Sequence, residues 1–195
     1  MGGDTLEEYF DLRREDGSVT GEVKARSLVH LEGDLHGTVH IWILRPNGAE
    51  FDLLLQKRSR IKDAFPGCWD ISSAGHLPAG SDFLESALRE LEEELGIAAK
   101  AEDLILLGFN RRITHDRFYN KPFRDNEFSA LYLYMKPVDL KKLRLQEEEV
   151  ADAAFFPYSE IIARLEDPTF CHCLQREELQ TVENAYRNII QRSSL

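Results

Sequence analysis

Apolar residues recur at helical spacing between positions 84 and 95 of the chain. They form a single stripe that must face a core: Leu84, Ala87, Leu88, Leu91 and Leu95. Asp82, followed three positions later by Glu85, has the form of a capping box, and Gly96 stands where a left-handed residue ends a helix. The pattern therefore predicts a helix that begins after Asp82 and ends before Gly96.

Shorter apolar runs elsewhere alternate with polar residues or are rich in β-formers, and they predict strands. The predicted strands are 38–44, 51–56, 69–72, 104–109, 128–135 and 153–156, and the predicted helices are 158–165 and 177–192. Near the N-terminus, residues 9–12 and 19–23 flank a charged turn and predict a hairpin-like extension. Strands interleaved with helices favour an α/β fold with a mixed sheet between helical layers. We expect an N-terminal β extension at 1–30 and one main domain at 31–195 that includes the C-terminal helix.

Residues 111–126 are polar and aromatic and separate two of the predicted strands. Long connections in compact domains are often functional, because they lie at the surface beside a rigid scaffold. We therefore expect a loop here that forms one wall of a substrate site.

Composition narrows the range of partners. The formal net charge is −11, which argues against a nucleic-acid backbone or an anionic membrane as the main partner. No apolar run approaches membrane-spanning length. Three cysteines, Cys68, Cys171 and Cys173, are too few for a disulfide framework and fit a reducing compartment. We expect a cytoplasmic protein with a small-molecule partner, and the sequence leaves a homodimer open.

Glu90, Glu93 and Glu94 are three or four residues apart, so they share one edge of the predicted helix beside the apolar stripe. Carboxylates held this closely repel one another unless a cation lies among them. Hard oxygen ligands suit Mg²⁺ or Mn²⁺, ions that bridge to substrate phosphates. The alternative is a solvated acidic face, in which Arg89 and Glu93 simply form a stabilising pair.

The order of residues from Gly75 to Ile97 resembles the Nudix box, G-x5-E-x7-R-E-U-x-E-E-x-G-U with U apolar, the signature of Nudix hydrolases. One position departs from this pattern, because Ser81 stands where the box has its first Glu. The resemblance implies the α/β/α Nudix sandwich with a mixed sheet. It also implies a Mg²⁺ (or Mn²⁺) ion held by Glu90, Glu93 and Glu94, a catalytic role for Arg89, and a diphosphate substrate.

The run from Lys57 to His76, together with Leu35-His36, also resembles type 1 isopentenyl-diphosphate isomerases. In that family a metal is held by two histidines before the first core strand, one histidine in the glycine loop and two acidic residues on a later strand. The matching positions here are His36, His76, Asp125 and Glu127, with His30 matching after a one-residue deletion. Whether these five form a second metal site is left open. The resemblance implies that Arg58 and Lys62, and with them His76, bind the substrate.

Ala74 stands where the isomerases have their catalytic cysteine. Moving a double bond needs an acid and a base on opposite faces of the substrate, and alanine supplies neither. The sequence therefore favours an isomerase-like Nudix hydrolase that cleaves a diphosphate linkage in a nucleoside diphosphate-X or related organic diphosphate. Glu93 or Glu127 would be the general base. The alternatives are an isopentenyl-diphosphate isomerase-like enzyme and a non-catalytic nucleotide-binding module, toward which Ser81 points.

Overall fold

The computed structural model describes residues 7–48, 50–62, 64–118 and 121–193. Residues 1–6 of the predicted N-terminal extension lie outside the described residues, and so do residues 194 and 195 of the predicted main domain. Within the described ranges the strands are β1 (Tyr9–Arg13), β2 (Val19–Ala25), β3 (Leu35–Asn47), β4 (Glu50–Arg58), β5 (Trp69–Asp70), β6 (Ser73–His76), β7 (Leu104–Phe118), β8 (Lys121–Tyr134) and β9 (Val150–Pro157). The α-helices are α1 (Arg26–Glu32), α2 (Phe83–Leu95), α3 (Tyr158–Arg164) and α4 (Arg176–Ser193).

The strands form one mixed sheet centred on β3. Strand β8 runs parallel to β3, whereas β4 and β6 pair with β3 in antiparallel fashion. Strand β7 extends the sheet beyond β8, and β5 and β9 extend it beyond β4. The β1–β2 hairpin joins β3 where Leu12 pairs with His36.

The two faces of the sheet carry separate apolar cores. On one face, Leu91 and Leu95 of α2 pack with Ile41 and Leu54. On the other face, residues of α3 and α4 pack with Trp42, Leu44 and Leu53. The predicted α/β/α arrangement with a mixed sheet is therefore confirmed.

Local signals predicted α2 well. The Asp82 side chain accepts a hydrogen bond from the Glu85 backbone N–H at 2.8 Å, and Gly96 ends the helix at φ 70°. Strand β6, however, already includes Gly75 and His76, so the first residues of the Nudix-box pattern lie in the sheet rather than in a loop.

The predicted loop at 111–126 is wrong. Strands β7 and β8 form a continuous antiparallel hairpin, with pairs from Leu104–Tyr134 to Phe118–Lys121 and one bulge near Gly108. Main-chain pairing does not require apolar side chains, and β7 has its other edge open to solvent, so polar residues are tolerated there. Helix α1 was also not predicted; it follows the predicted β1–β2 hairpin directly.

The structure contains one disulfide, which the low cysteine count did not predict. Cys68 and Cys171 are joined, with their Cα atoms 4.7 Å apart. Backbone hydrogen bonds bring the two segments together, since the Trp69 N–H donates to the Cys171 carbonyl at 2.8 Å and the Cys173 N–H donates to the Trp69 carbonyl at 3.0 Å. Among the described residues, no helix has both the length and the apolar character that a membrane crossing requires.

Candidate functional site

Strand β6 separates two groups of functional side chains. Within the described residues it pairs with β3 alone, and its residues alternate between the two faces of the sheet. Helix α2 covers the face of Ser73 and Gly75 with its inward-facing glutamates, while His76 points to the opposite face. Both groups can therefore reach the open edge of β6.

Glu90 lies directly against Gly75. A Cβ atom at position 75 would stand 2.0 Å from the Glu90 carboxyl carbon, so only glycine permits this contact. Glu90 is buried, and burial together with the nearby Glu94 raises the pKa of its carboxyl group to about 8. The first glycine of the box thus makes room for a carboxylate.

Glu94 is held from three directions. Its Oε2 atom accepts hydrogen bonds from the Ser73 hydroxyl at 2.7 Å, the Ala74 N–H at 3.2 Å and the Gln56 side-chain amide at 3.4 Å. Burial raises the pKa of Glu94 to about 7, although the hydrogen bonds from Ser73 and Ala74 oppose the shift. Burial disfavours the charge of both carboxylates, and Glu94 adds to this effect at Glu90, so a divalent cation bound beside them would stabilise the charged forms.

Arg89 connects the helix to the strand. Its guanidinium lies 2.8 Å from Glu90 Oε1 and 3.2 Å from Glu93 Oε2, and it donates to the His76 carbonyl at 3.1 Å. The Glu93 side chain is 51% exposed, so it extends toward solvent beside the buried pair. Ser81 lies before the helix cap, where its N–H donates to the Pro78 carbonyl at 3.0 Å.

The tightest cluster of metal-ligand atoms lies on the other side of β6. Among the described residues, one group brings three or more such atoms within 4.8 Å of one another: His30, His36, His76 and Asp125, here called the histidine cluster. The helix glutamates are neighbours but are not gathered this closely. The cluster contains four of the five residues that the sequence left open as a second metal site, and Glu127 is not a member of it.

Four separate elements supply the histidine cluster. His30 comes from α1, His36 from the start of β3, His76 from the end of β6 and Asp125 from β8. The Asn126 side chain donates to the Gly33 carbonyl at 3.0 Å and so ties the end of α1 to β8.

The geometry of the cluster fits a metal ion. Asp125 Oδ1 lies 3.4 Å from His36 Nε2 and 3.7 Å from His30 Nε2, and donor atoms about 2.1 Å from one tetrahedral ion are separated by roughly 3.4 Å. The Nε2 atoms of all three histidines and Oδ1 of Asp125 are buried without a hydrogen-bond partner. Unpartnered buried polar atoms are costly, and one cation bound by all four of these atoms would remove that cost.

The protonation states agree with this assignment. Burial lowers the pKa of His30 to about 3, and it also lowers the pKa values of His36 and His76, so the three rings are neutral ligands. These contacts are therefore not ion pairs of a charged imidazole. His36 Nδ1 is 3.0 Å from the Asp34 carbonyl, which fixes Nε2 as the free lone pair.

Glu127 lies beside the histidine cluster, because it pairs in register with His36. Glu127 is buried, and this burial raises the pKa of its carboxyl group to about 7, with a smaller contribution from the charge of nearby Asp125. It therefore faces away from the α2 glutamates.

The two predicted phosphate-binding cations have different surroundings. Arg58 is largely buried, donates to Asp70 at 2.9 Å and to the Ala64 carbonyl at 3.0 Å, and so is already engaged. Lys62 forms an ion pair with Glu149. The charge of Glu149 raises the pKa of Glu94 and the charge of Lys62 lowers it, so both residues lie close enough to act on this α2 carboxylate.

A further polar group was missed. His40 on β3 contacts Glu178 on α4, both buried. The sequence did carry a signal, since His36, Thr38 and His40 alternate with apolar residues along a strand that is otherwise apolar.

The family profile described as NUDIX domain matches residues 34–171. Among curated proteins, Nudix hydrolase 3 of Arabidopsis thaliana is 42% identical over 170 residues, which is 84% of this chain and 21% of that protein. The chain therefore spans about a fifth of that relative. A Nudix hydrolase of Listeria monocytogenes is 33% identical over 91% of this chain and 96% of its own length.

Solved structures share the fold. A crystal structure from Deinococcus radiodurans aligns with a TM-score of 0.64 at 18% identity, covering 92% of this chain and 99% of that one. The NUDIX domain of Shewanella oneidensis NrtR, crystallised with ADP ribose, aligns with a TM-score of 0.55 at 17% identity, covering 78% and 87%.

Proposed function

The chain belongs to the Nudix hydrolase family, and from that premise we propose that it is a divalent-metal-dependent enzyme that cleaves a diphosphate linkage. The observation that carries this proposal is the buried pair Glu90 and Glu94 beside Gly75, with Arg89 bridging Glu90 to β6. Keeping both buried carboxylates charged costs more free energy than keeping the glutamates of a solvated acidic face charged. A Mg²⁺ or Mn²⁺ ion bound with a diphosphate would relieve the repulsion between the two carboxylates.

A divalent ion held by Glu90, Glu93 and Glu94 would neutralise the diphosphate oxygens and lower the pKa of a bound water. Arg89 orients Glu90 and Glu93 from one guanidinium. Lys62, beside Glu149 and near Glu94, is the cation best placed to hold the phosphate that is not attacked.

Two carboxylates are candidates for the general base. Glu93 is solvent-accessible and adjoins the buried pair, whereas Glu127 lies with the histidine cluster on the opposite face of the sheet. For hydrolysis beside the α2 carboxylates we assign the general base to Glu93, which would take the proton of the water that attacks phosphorus, while Glu127 is retained for chemistry that uses the histidine cluster. Glu93→Gln and Glu127→Gln separate these roles, because only the variant of the true base loses the acidic limb of the pH profile, in which turnover rises as that carboxyl group deprotonates.

We further propose that the histidine cluster binds a second divalent ion. Three neutral imidazoles and one carboxylate suit Zn²⁺, Mn²⁺ or Fe²⁺ better than Mg²⁺. A metal ion bound there would agree with the proposed place of this chain in the isomerase-like branch of the family, in which the matching positions hold a metal. His76 would then bind this ion rather than contact the substrate directly.

The substrate class is a nucleoside diphosphate-X or a related organic diphosphate. ADP ribose, the compound bound by the Shewanella domain, belongs in the test panel for that reason. Membership of the family and the absence of an acid at Ala74 both favour hydrolysis over isomerisation.

The test is a panel of nucleoside and isoprenoid diphosphates, incubated with the purified chain and Mg²⁺ or Mn²⁺, with released phosphate species as the readout. We expect hydrolysis that excess chelator abolishes. Glu94→Gln should lower turnover about 100-fold or more at unchanged melting temperature, whereas Glu92→Gln, an exposed neighbour on α2, should match the wild type. Equal hydrolysis in excess chelator would overturn the proposal, and binding without any turnover would favour the non-catalytic alternative.

Allylic isomerisation of an isoprenoid diphosphate is the second candidate, and the histidine cluster is the observation that favours it. Ala74 argues against it, since it faces His40 across the β3–β6 pair without an acid or base of its own. Formation of dimethylallyl diphosphate from isopentenyl diphosphate by the same preparation would establish this activity instead.

A further inference from the structure

The N-terminal extension reaches the histidine cluster through Phe10. This residue lies on β1 and is fully buried. Its ring is parallel to His76, with 4° between the planes and 4.8 Å between the centroids, and nearly parallel to His36, with 14° and 5.3 Å. His30 meets the same ring edge-on at 6.2 Å. One aromatic side chain therefore contacts all three imidazoles.

The direction of an imidazole's lone pair is fixed only when the plane of its ring is fixed. For His36 the Asp34 carbonyl contributes one constraint at Nδ1. The second constraint is the flat face of Phe10, which His36 and His76 share, and these two rings are themselves stacked at 5.2 Å. Parallel aromatic rings at this spacing attract each other in a preferred relative orientation, so the stack restricts the rotation of both imidazoles.

The neighbours of Phe10 are mostly imidazole rings rather than apolar side chains of the extension. The apolar cluster to which it belongs contains, among the described residues, only Leu12 and Val29 besides itself. Within the part of the chain that the structure describes, the three aromatic side chains that pack against its ring are the imidazoles of His30, His36 and His76. Phe10 is itself fully buried, and the four ligand atoms of the cluster are buried as well, so the side that β1 covers is shielded from solvent.

We propose that Phe10 is a positioning residue of the histidine cluster, which holds the His36 and His76 rings with Nε2 directed at Asp125 and keeps water from that side of the bound ion. This inference rests on the proposed metal site. It makes the hairpin extension part of the site rather than an appendage, because β1 supplies the ring and α1 supplies His30. Groups that orient metal ligands through hydrogen bonds typically contribute about 10- to 100-fold to metal affinity, and we expect the stacked ring of Phe10 to act in the same range.

The experiment measures Co²⁺ and Zn²⁺ binding to the full chain by competition with a chromogenic chelator, and the visible absorption of the Co²⁺ form. His36→Ala identifies the signal that belongs to the cluster. Phe10→Leu keeps an apolar side chain but removes the flat ring, and we expect it to weaken binding about 10- to 100-fold and to change the Co²⁺ spectrum. Phe10→Met provides the same test should Phe10→Leu not yield folded protein.

Leu12→Ala is the matched control, because it removes apolar volume from the same small core and leaves the three ring contacts in place. We expect it to lower the melting temperature while the affinity and the Co²⁺ spectrum stay at wild-type values. If Phe10→Leu and Phe10→Met bind Co²⁺ with wild-type affinity and spectrum, Phe10 is only structural and the inference fails. If the wild type shows no binding that His36→Ala removes, the metal site itself fails and Phe10 has nothing to position.

Discussion

Glu178 on α4 and His40 on β3 form a buried ion pair, with 2.9 Å between Oε1 and Nδ1. Burial alone would lower the pKa of His40, but the facing carboxylate raises it to about 9. Burial would likewise raise the pKa of Glu178, yet His40 lowers it. Asn110 donates a further hydrogen bond to Glu178 at 3.0 Å. The pair therefore fastens the C-terminal helix to the central strand.

This pair makes stability depend on pH. The contribution of His40 is full below its unfolded pKa near 6.5 and is lost as the pH rises through about 9, whereas that of Glu178 is full above its unfolded pKa near 4.5 and is lost at lower pH. We expect Glu178→Gln to lower the free energy of unfolding by roughly 3 kcal/mol at pH 6 and by clearly less at pH 9.5. Urea unfolding at both pH values measures this difference.

The matched control is Glu177→Gln, an exposed neighbour on α4, which should change stability little at either pH. A destabilisation by Glu178→Gln that stays constant from pH 6 to pH 9.5 would show that His40 is not charged in the folded protein.

The contact between Gly75 and Glu90 gives a second prediction. Gly75→Ala places a methyl group 2.0 Å from the Glu90 carboxyl carbon, so the carboxylate must move. We expect turnover to fall about 100-fold, since a displacement of about 1 Å at a catalytic group has this effect. Gly80→Ala is the control, because its Cβ would contact nothing within 4 Å although its φ of 82° makes the change mildly destabilising. Wild-type turnover in Gly75→Ala would exclude Glu90 as a ligand in its present position.

Helix α2 could be predicted because its signals are local. The cap at Asp82, the stop at Gly96 and the apolar stripe through Leu91 all lie within one stretch of chain, and the structure contains all three. Strand β3 was also found, although it extends from Leu35 to Asn47 rather than over 38–44. The hairpin of β7 and β8 was missed because polarity was taken to indicate a loop, whereas backbone pairing alone sustains these strands.

The histidine cluster could not be deduced from local pattern. Its members come from four elements, and nothing near His30 in sequence indicates that Asp125 will lie 3.7 Å away. Only the family resemblance brought these residues together before the structure did. The His40–Glu178 pair, separated by 138 positions, had no such support and went unnoticed.

The surroundings of Arg58 predict a structural role that outweighs any contact with substrate. Removing its guanidinium would leave Asp70 as a buried, unpaired carboxylate, so we expect Arg58→Met to lower the free energy of unfolding by roughly 3 kcal/mol. Lys62→Met should instead raise KM for the diphosphate with little change in stability. Arg60→Met, exposed in the same basic segment, is the control for both measurements. Thermal unfolding and steady-state kinetics on the same preparations distinguish a structural role from substrate binding. An unchanged stability of Arg58→Met would contradict the structural role and return Arg58 to the candidate substrate ligands.

The bridging position of Arg89 gives the last prediction. Its guanidinium contacts Glu90 Oε1, Glu93 Oε2 and the His76 carbonyl together, and the single ammonium of lysine cannot reproduce this planar set of donors. We expect Arg89→Lys to lower turnover about 10- to 100-fold and to raise the Mg²⁺ concentration needed for half-maximal activity, because Glu90 loses its orientation while the local charge is kept. Arg164→Lys is the matched control, since Arg164 forms a comparable helical pair with Glu160 at 3.0 Å on α3. An Arg89→Lys enzyme with normal turnover and normal Mg²⁺ dependence would show that charge alone suffices at this position and that the fork geometry has no catalytic role.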